Sequence, residues 1–150
     1  MQTLKITLFL VVCFCMSSCA NCAETPTTIN LNLPESFRGE IFILEDQVNG
    51  QDWKSGSISV SVRGVALVKD LEGLAKVVPD EFRAAYPSGR RLKNSVLKTG
   101  EEISLWSVTY VEDLTLYFVV GTFHEKTQRE NEKMRVNWKE LIAMVRRGAE

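Results

Sequence analysis

Apolar and polar residues alternate with period two over much of the chain after residue 28, and this alternation predicts strands. Ile29, Leu31 and Leu33 share one face of a first segment that stops at Pro34. Residues 38–45 (RGEIFILE) are rich in strand formers. Residues 47–56 (QVNGQDWKSG) read as a loop with Asn49-Gly50 as its turn. The cleanest alternation spans residues 57–63. Ile58, Val60 and Val62 lie on one side, with Ser57, Ser59, Ser61 and Arg63 on the other. One dry and one wet face is the pattern of an antiparallel sheet. Gly64 is expected to bend the chain before Val65 to Val68. Residues 103–111 (ISLWSVTYV) and 114–122 (LTLYFVVGT) predict two more strands, joined by a tight hairpin at Glu112-Asp113. The second is apolar on both faces over much of its length, which predicts a central, covered position.

The period lengthens to that of a helix in residues 137–147. Trp138, Leu141, Ile142 and Val145 recur on one face, and Asn137 with Glu140 has capping-box spacing. Arg146 and Arg147 sit where the helix dipole favours cations, and Gly148 can end the helix. Residues 80–86 (DEFRAAY) read as a short helix opened by Pro79 or Asp80 and closed by Pro87-Ser88-Gly89. Residues 123–135 are highly charged, as an exposed loop or the frayed start of a helix. The fold expected is mainly β (α+β). It is an antiparallel β-sandwich or open sheet of short strands, with the C-terminal amphipathic helix packed on one face.

The N-terminus follows a different pattern. Residues 6–16 (ITLFLVVCFCM) form an apolar run of signal-peptide length, below the roughly 20 residues that span a bilayer. Met16-Ser17-Ser18-Cys19 resembles the bacterial lipobox, with Met in place of the usual Leu; cleavage after Ala20 is the alternative. The expected organisation is a signal peptide over 1–18, a lipidated tether over 19–28 attached at Cys19, and one β-rich domain over 29–150. Ala20 lacks the Asp that often retains lipoproteins at an inner membrane. The expected location is therefore the bacterial envelope, as an outer-membrane lipoprotein or a periplasmic protein.

This division changes the reading of the composition. All four Cys fall between Cys13 and Cys22, so the domain has no disulfide and no Cys-based zinc site. The N-terminal 23 residues carry one basic residue and no acid, so the remainder is one charge more acidic than the formal −1 of the whole chain. That balance excludes a nucleic-acid binder working by phosphate neutralisation. His124 is the single histidine, so a two-His metal site is excluded. Neither a nucleophile elbow nor a phosphate or dinucleotide loop is present. No metal and no cofactor is implied.

The segment Leu33-Pro34-Glu35-Ser36-Phe37-Arg38-Gly39, running into Glu40-Ile41-Phe42-Ile43, resembles the opening of a family of uncharacterised bacterial secreted and lipoprotein domains. Val62-Arg63-Gly64-Val65-Ala66-Leu67 and Tyr117-Phe118-Val119-Val120-Gly121-Thr122 are similar to later stretches of that family. The resemblance implies a β-rich envelope domain and brings no activity with it.

Candidate contact residues are few. Arg90, Arg91, Lys93 and Lys98 stand without an acid between residues 90 and 98. They read as a solvated face or as an anion site for lipid headgroups, a phosphate-bearing envelope polymer or an acidic partner. Trp53 reads as a loop aromatic for stacking or as a core residue. The expectation is a non-enzymatic binding or interaction module, contacting the membrane through its lipid and another envelope protein or cell-wall component. Two alternatives remain at this point. One is a periplasmic immunity or inhibitor protein. The other is a small envelope hydrolase using carboxylates such as Glu45, Asp46, Glu112 and Asp113.

Overall fold

The computed structural model describes residues 26–77, 81–92, 94–95, 101–108, 115–133 and 136–149. Eight strands form two four-stranded sheets. The strands are β1 (Ile29–Asn32), β2 (Gly39–Glu45), β3 (Ser57–Ser59), β4 (Val65–Val68), β5 (Phe82–Ala85), β6 (Arg91–Leu92), β7 (Ser104–Val108) and β8 (Thr115–Gly121). Sheet 1 has the order β3-β1-β5-β6 and sheet 2 the order β4-β2-β8-β7. Three helices accompany them: α1 (Leu71–Ala75), α2 (Phe123–Lys133) and α3 (Trp138–Ala149). The mixed α+β class and the terminal helix agree with the sequence pattern.

Alternation decides which side chains meet. Ile29, Leu31, Ile58, Phe82, Ala84 and Leu92 of sheet 1 face Ile41, Ile43, Ala66, Val68, Leu105, Phe118 and Val120 of sheet 2 in one buried cluster. The Phe82 and Phe118 rings touch across it at 4.9 Å between centroids. The opposite face of sheet 2 is also dry. There Phe42, Leu44, Val65, Trp106, Tyr117 and Val119 pack under Phe123 of α2 and Trp138, Leu141, Ile142 and Val145 of α3. The molecule thus has three layers, sheet 1, sheet 2 and helices, and the apolar stripe of α3 supplies the third.

Both open sides of the sandwich are closed by hydrogen bonds. On one side Gln51 bridges the two edge strands. Its backbone N–H donates to Leu67 O at 2.8 Å and its carbonyl accepts from Lys69 N, alongside β4. Its side-chain amide donates to Ser59 O at 2.8 Å and accepts from Ser59 N at 2.7 Å, alongside β3. One residue therefore occupies edge positions of both sheets, where unpaired strand groups would otherwise invite self-association. On the other side Ser95 N donates to Leu105 O at 3.0 Å and Asn94 bridges to β7. The result is a flattened, nearly closed ring of strands.

Four expectations change. Residues 82–85 form a strand, not a helix: Phe82 and Ala84 are drawn into the core, and β5 pairs in parallel with β1. That tertiary pairing outweighs the helix preference of Arg and Ala. The alternation of 57–63 is broken after Val60, and Val62 stands 80% exposed in a turn. In that turn Gly64 N donates to Ser61 O, and Gly64 has φ +76°. A Cβ on Gly64 would collide with the Glu40 carbonyl oxygen, so glycine is required there. Ladders β1–β3, β1–β5 and β2–β4 run parallel, which short antiparallel strands alone do not anticipate. Residues 123–133 form a helix of their own, separate from α3. Pairing of β7 with β8 is antiparallel as expected, while its tip, with Glu112 and Asp113, lies outside the described residues.

Replacing Gln51 by Ala removes two hydrogen bonds and should lower unfolding stability by about 1–2 kcal/mol, read from urea melts. Thr115 Oγ1 is buried without a hydrogen-bond partner among the described residues. Thr115→Val should therefore raise stability, by about 1 kcal/mol, because it removes an unpaired polar group while keeping the branched shape.

Candidate functional site

Several ionisable groups on the helical side are held in structural contacts. Tyr117 Oη donates to Glu40 Oε1 at 2.6 Å, and Lys133 Nζ reaches the same oxygen at 3.2 Å. The Tyr117 ring lies against Phe42 and Trp138, with centroids 5.2 Å and 5.7 Å away. Burial first, and then the bond to the Glu40 carboxylate, hold the phenol pKa far above its ordinary value. At the start of α2, Thr122 and Glu125 form a capping box. Glu125 N donates to Thr122 Oγ1, and Thr122 N donates to Glu125 Oε2 at 2.8 Å. Arg38 Nη2 donates to the same carboxylate oxygen at 2.7 Å. This guanidinium bond, together with the Thr122 backbone bond, holds the Glu125 carboxyl below its usual range.

Of the four carboxylates considered for hydrolysis, Glu112 and Asp113 lie outside the described residues. Asp46 Oδ1 accepts from Val48 N and Asn49 N, both at 2.9 Å. Those backbone bonds lower its pKa and commit it to a turn. Among the described residues, no group of three or more His, Cys, Asp or Glu is placed to hold a metal. His124 lies in the first turn of α2, exposed, beside Thr127, Gln128 and Asn131.

The predicted contact residues part company. Cys19 and Lys93 lie outside the described residues. Trp53 is a core residue, only 3% exposed, and its indole N–H donates to Asp70 O at 2.7 Å. A 3-10 turn at Trp53–Ser55 turns the ring inward, so it is no stacking platform. Arg90 and Arg91 are both exposed but diverge. Arg90 belongs to the turn after β5, where Ser88 N and Oγ bond Glu35. Arg91 is opposite Ala85 across the β5–β6 ladder, so it emerges on the outer face of sheet 1.

That face is the larger finding. By register, Ser57, Asn30 and Arg83 form one row across three strands. Ser59, Asn32, Ala85 and Arg91 form the next row, across all four. Asn30, Asn32, Ser59, Arg83 and Arg91 are exposed, and no helix among the described residues covers them. Asn32 Nδ2 donates to Ser57 Oγ at 2.7 Å, and Asn30 Nδ2 donates to Gly56 O. Neither Arg83 nor Arg91 has an ion-pair partner among the described residues. Beside Ser59, at the sandwich edge between β3 and β4, a separate open cleft of about 520 Å³ is lined by Asn49, Gln51, Ser61, Val62, Arg63 and Leu67. Arg63 is tied there to the Gly148 carbonyl near the end of α3.

Sequence reasoning located Arg91 and the Ser57/Ser59 wet side but missed Arg83, Asn30 and Asn32 as their neighbours. The polar members of residues 29–33 alternate with its apolar ones, so their outward direction was readable. Their adjacency to Arg83 was not, because it rests on the parallel pairing of β1 with β5.

No family model matches the chain, and no curated protein matches it. A crystal structure described as a putative lipoprotein from Bacillus anthracis is similar over 63% of this chain and 70% of its own. The two share 14% identity, with a TM-score of 0.33.

Because the folded chain keeps Tyr117 neutral while the unfolded chain ionises it near pH 10, the stability it contributes is full below pH 10 and falls as pH rises beyond it. Alkaline melts should show this loss for the native chain. Tyr117→Phe should be less stable at pH 7 yet lose less between pH 9 and 11.

Proposed function

We propose that this chain is an exported, membrane-tethered module of the bacterial cell envelope that binds rather than catalyses. In this reading the bare outer face of sheet 1 is the surface it presents. The observation that carries the reading is an asymmetry. Sheet 2 is covered on both faces, whereas sheet 1 leaves a polar outer face whose two guanidiniums have no ion-pair partner among the described residues. On the other side of the molecule, Glu125 is engaged in a helix cap, Asp46 in a turn, and Tyr117, Glu40 and Lys133 with one another.

The N-terminal sequence supports export and anchoring. An 11-residue apolar run ends at Ser17-Ser18-Cys19, and no helix among the described residues is long and apolar enough to cross a membrane. Attachment in this reading comes from acyl chains on Cys19, and several chains together hold a protein stably. The ten residues 19–28 then reach at most about 35 Å before β1 begins. Sheet 1 takes the tether at β1, an interior strand, so its outer face stays close to the envelope layer that the anchor occupies.

Two substitutions test the reading separately. Cys19→Ala should abolish globomycin-sensitive processing and release the protein from the membrane fraction. Asn32→Trp places a bulky ring in the middle of the face, on an exposed strand position that tolerates it. It should reduce co-sedimentation with isolated cell-envelope material at least about tenfold, the scale of losing one or two charge-assisted contacts. Lys139→Ala, on the solvent side of α3, should leave it unchanged. Equal retention of the Asn32→Trp and native proteins would defeat the reading.

A further inference from the structure

Resting on that reading, we infer that the outer face of sheet 1 binds an anionic polysaccharide, with Arg83 and Arg91 taking its acidic groups and the Asn and Ser rows its hydroxyls.

Three properties of the face select this occupant. Its charge is of one sign. Arg83 and Arg91 are exposed on neighbouring strands, and no Asp or Glu occupies the outward strand positions described above. Glu81, the acid just before β5, lines a separate cleft together with Lys54 and Lys76. By register the two arginines are diagonal neighbours across β5 and β6, which sets their Cα atoms roughly 7–8 Å apart. Their forks can therefore engage successive acidic groups on one extended chain.

The second property is the neutral part of the face. Asn30, Asn32, Ser57 and Ser59 offer donors and acceptors at the same height, on strands about 4.8 Å apart. Four strands give a flat strip roughly 14 Å wide, long enough for several sugar units. Hydroxyl-rich ligands suit such a surface, because each hydroxyl both donates and accepts.

The third property is the absence of apolar anchors at the outward strand positions. They are Asn, Ser, Arg and one Ala. A protein interface of useful affinity centres on buried aromatic or aliphatic residues, and a membrane surface calls for a larger basic cluster or an inserting apolar edge. Neither is present on this face. Among the described residues the large exposed apolar side chains, Val48, Val62, Val136 and Met144, all lie outside the strands of sheet 1.

The full chain in detergent, applied to immobilised polygalacturonate and dextran sulfate, with neutral dextran as control, tests this. Expected are retention on the two anionic polymers, elution by salt, and none on dextran. Arg83→Gln with Arg91→Gln should weaken retention at least about tenfold. Lys replacements at both positions should restore part of it, since charge without the fork is a poorer match. Lys139→Gln with Arg147→Gln, on α3, should leave it unchanged. Circular dichroism confirms that each variant is folded.

The proposal is overturned if neither anionic polymer retains the protein, or if the Arg83/Arg91 double variant binds as well as the native chain. It is also overturned if the α3 variant loses as much retention. Binding to phosphatidylglycerol vesicles that needs Arg83 and Arg91, without polymer retention, would assign the face to the membrane instead. Loss of envelope co-sedimentation in Asn32→Trp alongside failed polymer retention would leave the binding module standing and the ligand class wrong. Failure of both would remove the binding module itself.

Discussion

Strands β2 and β8 have no wet face, and the rest of the molecule is arranged around that fact. Ile41 and Ile43 point into the sandwich while Phe42 and Leu44 point toward the helices. On β8, Phe118 and Val120 point in and Tyr117 and Val119 point out. A strand pair with apolar residues on both sides must be covered twice, at about 25 cal/mol for each Å² of apolar surface kept from water. Sheet 1 provides one cover and α2 with α3 the other. Thr115 Oγ1 apart, polar groups that enter this layer find partners in place. Glu40, Tyr117 and Lys133 satisfy one another where α2 crosses the sheet, and the Trp106 indole donates to Gly121 O at 2.8 Å.

The two covers are not equivalent. The helices bury their stripe and turn a charged surface outward, where salt bridges such as Lys126–Glu130 at 2.6 Å and Arg129–Glu132 balance much of it. Sheet 1 buries its inner face by alternation, and the same alternation sends Asn30, Asn32, Ser59, Arg83 and Arg91 outward with no further layer above them among the described residues. The closure by Gln51 and Ser95 matters here. It ties down the sandwich edges, so the surface left for recognition is a face of side chains rather than an open backbone edge.

How much of this was legible follows from where the information sits. Alternation in Ile29–Asn32 and the doubly apolar run of β8 stated both element and burial, because each strand's own neighbours determine its faces. The 3.6-residue stripe of α3 likewise announced both helix and partner. Residues 82–85 misled because Arg and the two Ala favour helix locally, and only pairing with β1, more than fifty residues away, makes them a strand. Trp53 stood between two readings, a loop aromatic for stacking or a core residue, and the Asp70 carbonyl with the core below it draws the ring in. Gln51 was silent, since nothing in an isolated glutamine reveals that its amide will act as a strand edge. The basic cluster at residues 90–93 was visible as charge, but its division into a turn residue and a face residue required the β5–β6 register.

The same register argument separates structural from available charge. From the sequence, Glu45, Asp46, Glu112 and Asp113 could be named only as scattered carboxylates for an alternative hydrolase reading, beside the arginines of the binding reading. In the fold, Asp46 is fixed by two backbone N–H donors, Glu125 by Arg38 and its cap, and Glu40 by a phenol and an ammonium. Each is a group whose hydrogen-bonding capacity is already engaged, and a ligand would have to displace those partners to use it, at roughly 1–3 kcal/mol for each bond lost. Arg83 and Arg91 carry no such debt among the described residues. Both side chains are exposed. The binding surface we propose is therefore defined less by where charge is concentrated along the chain than by where folding has left it unspent.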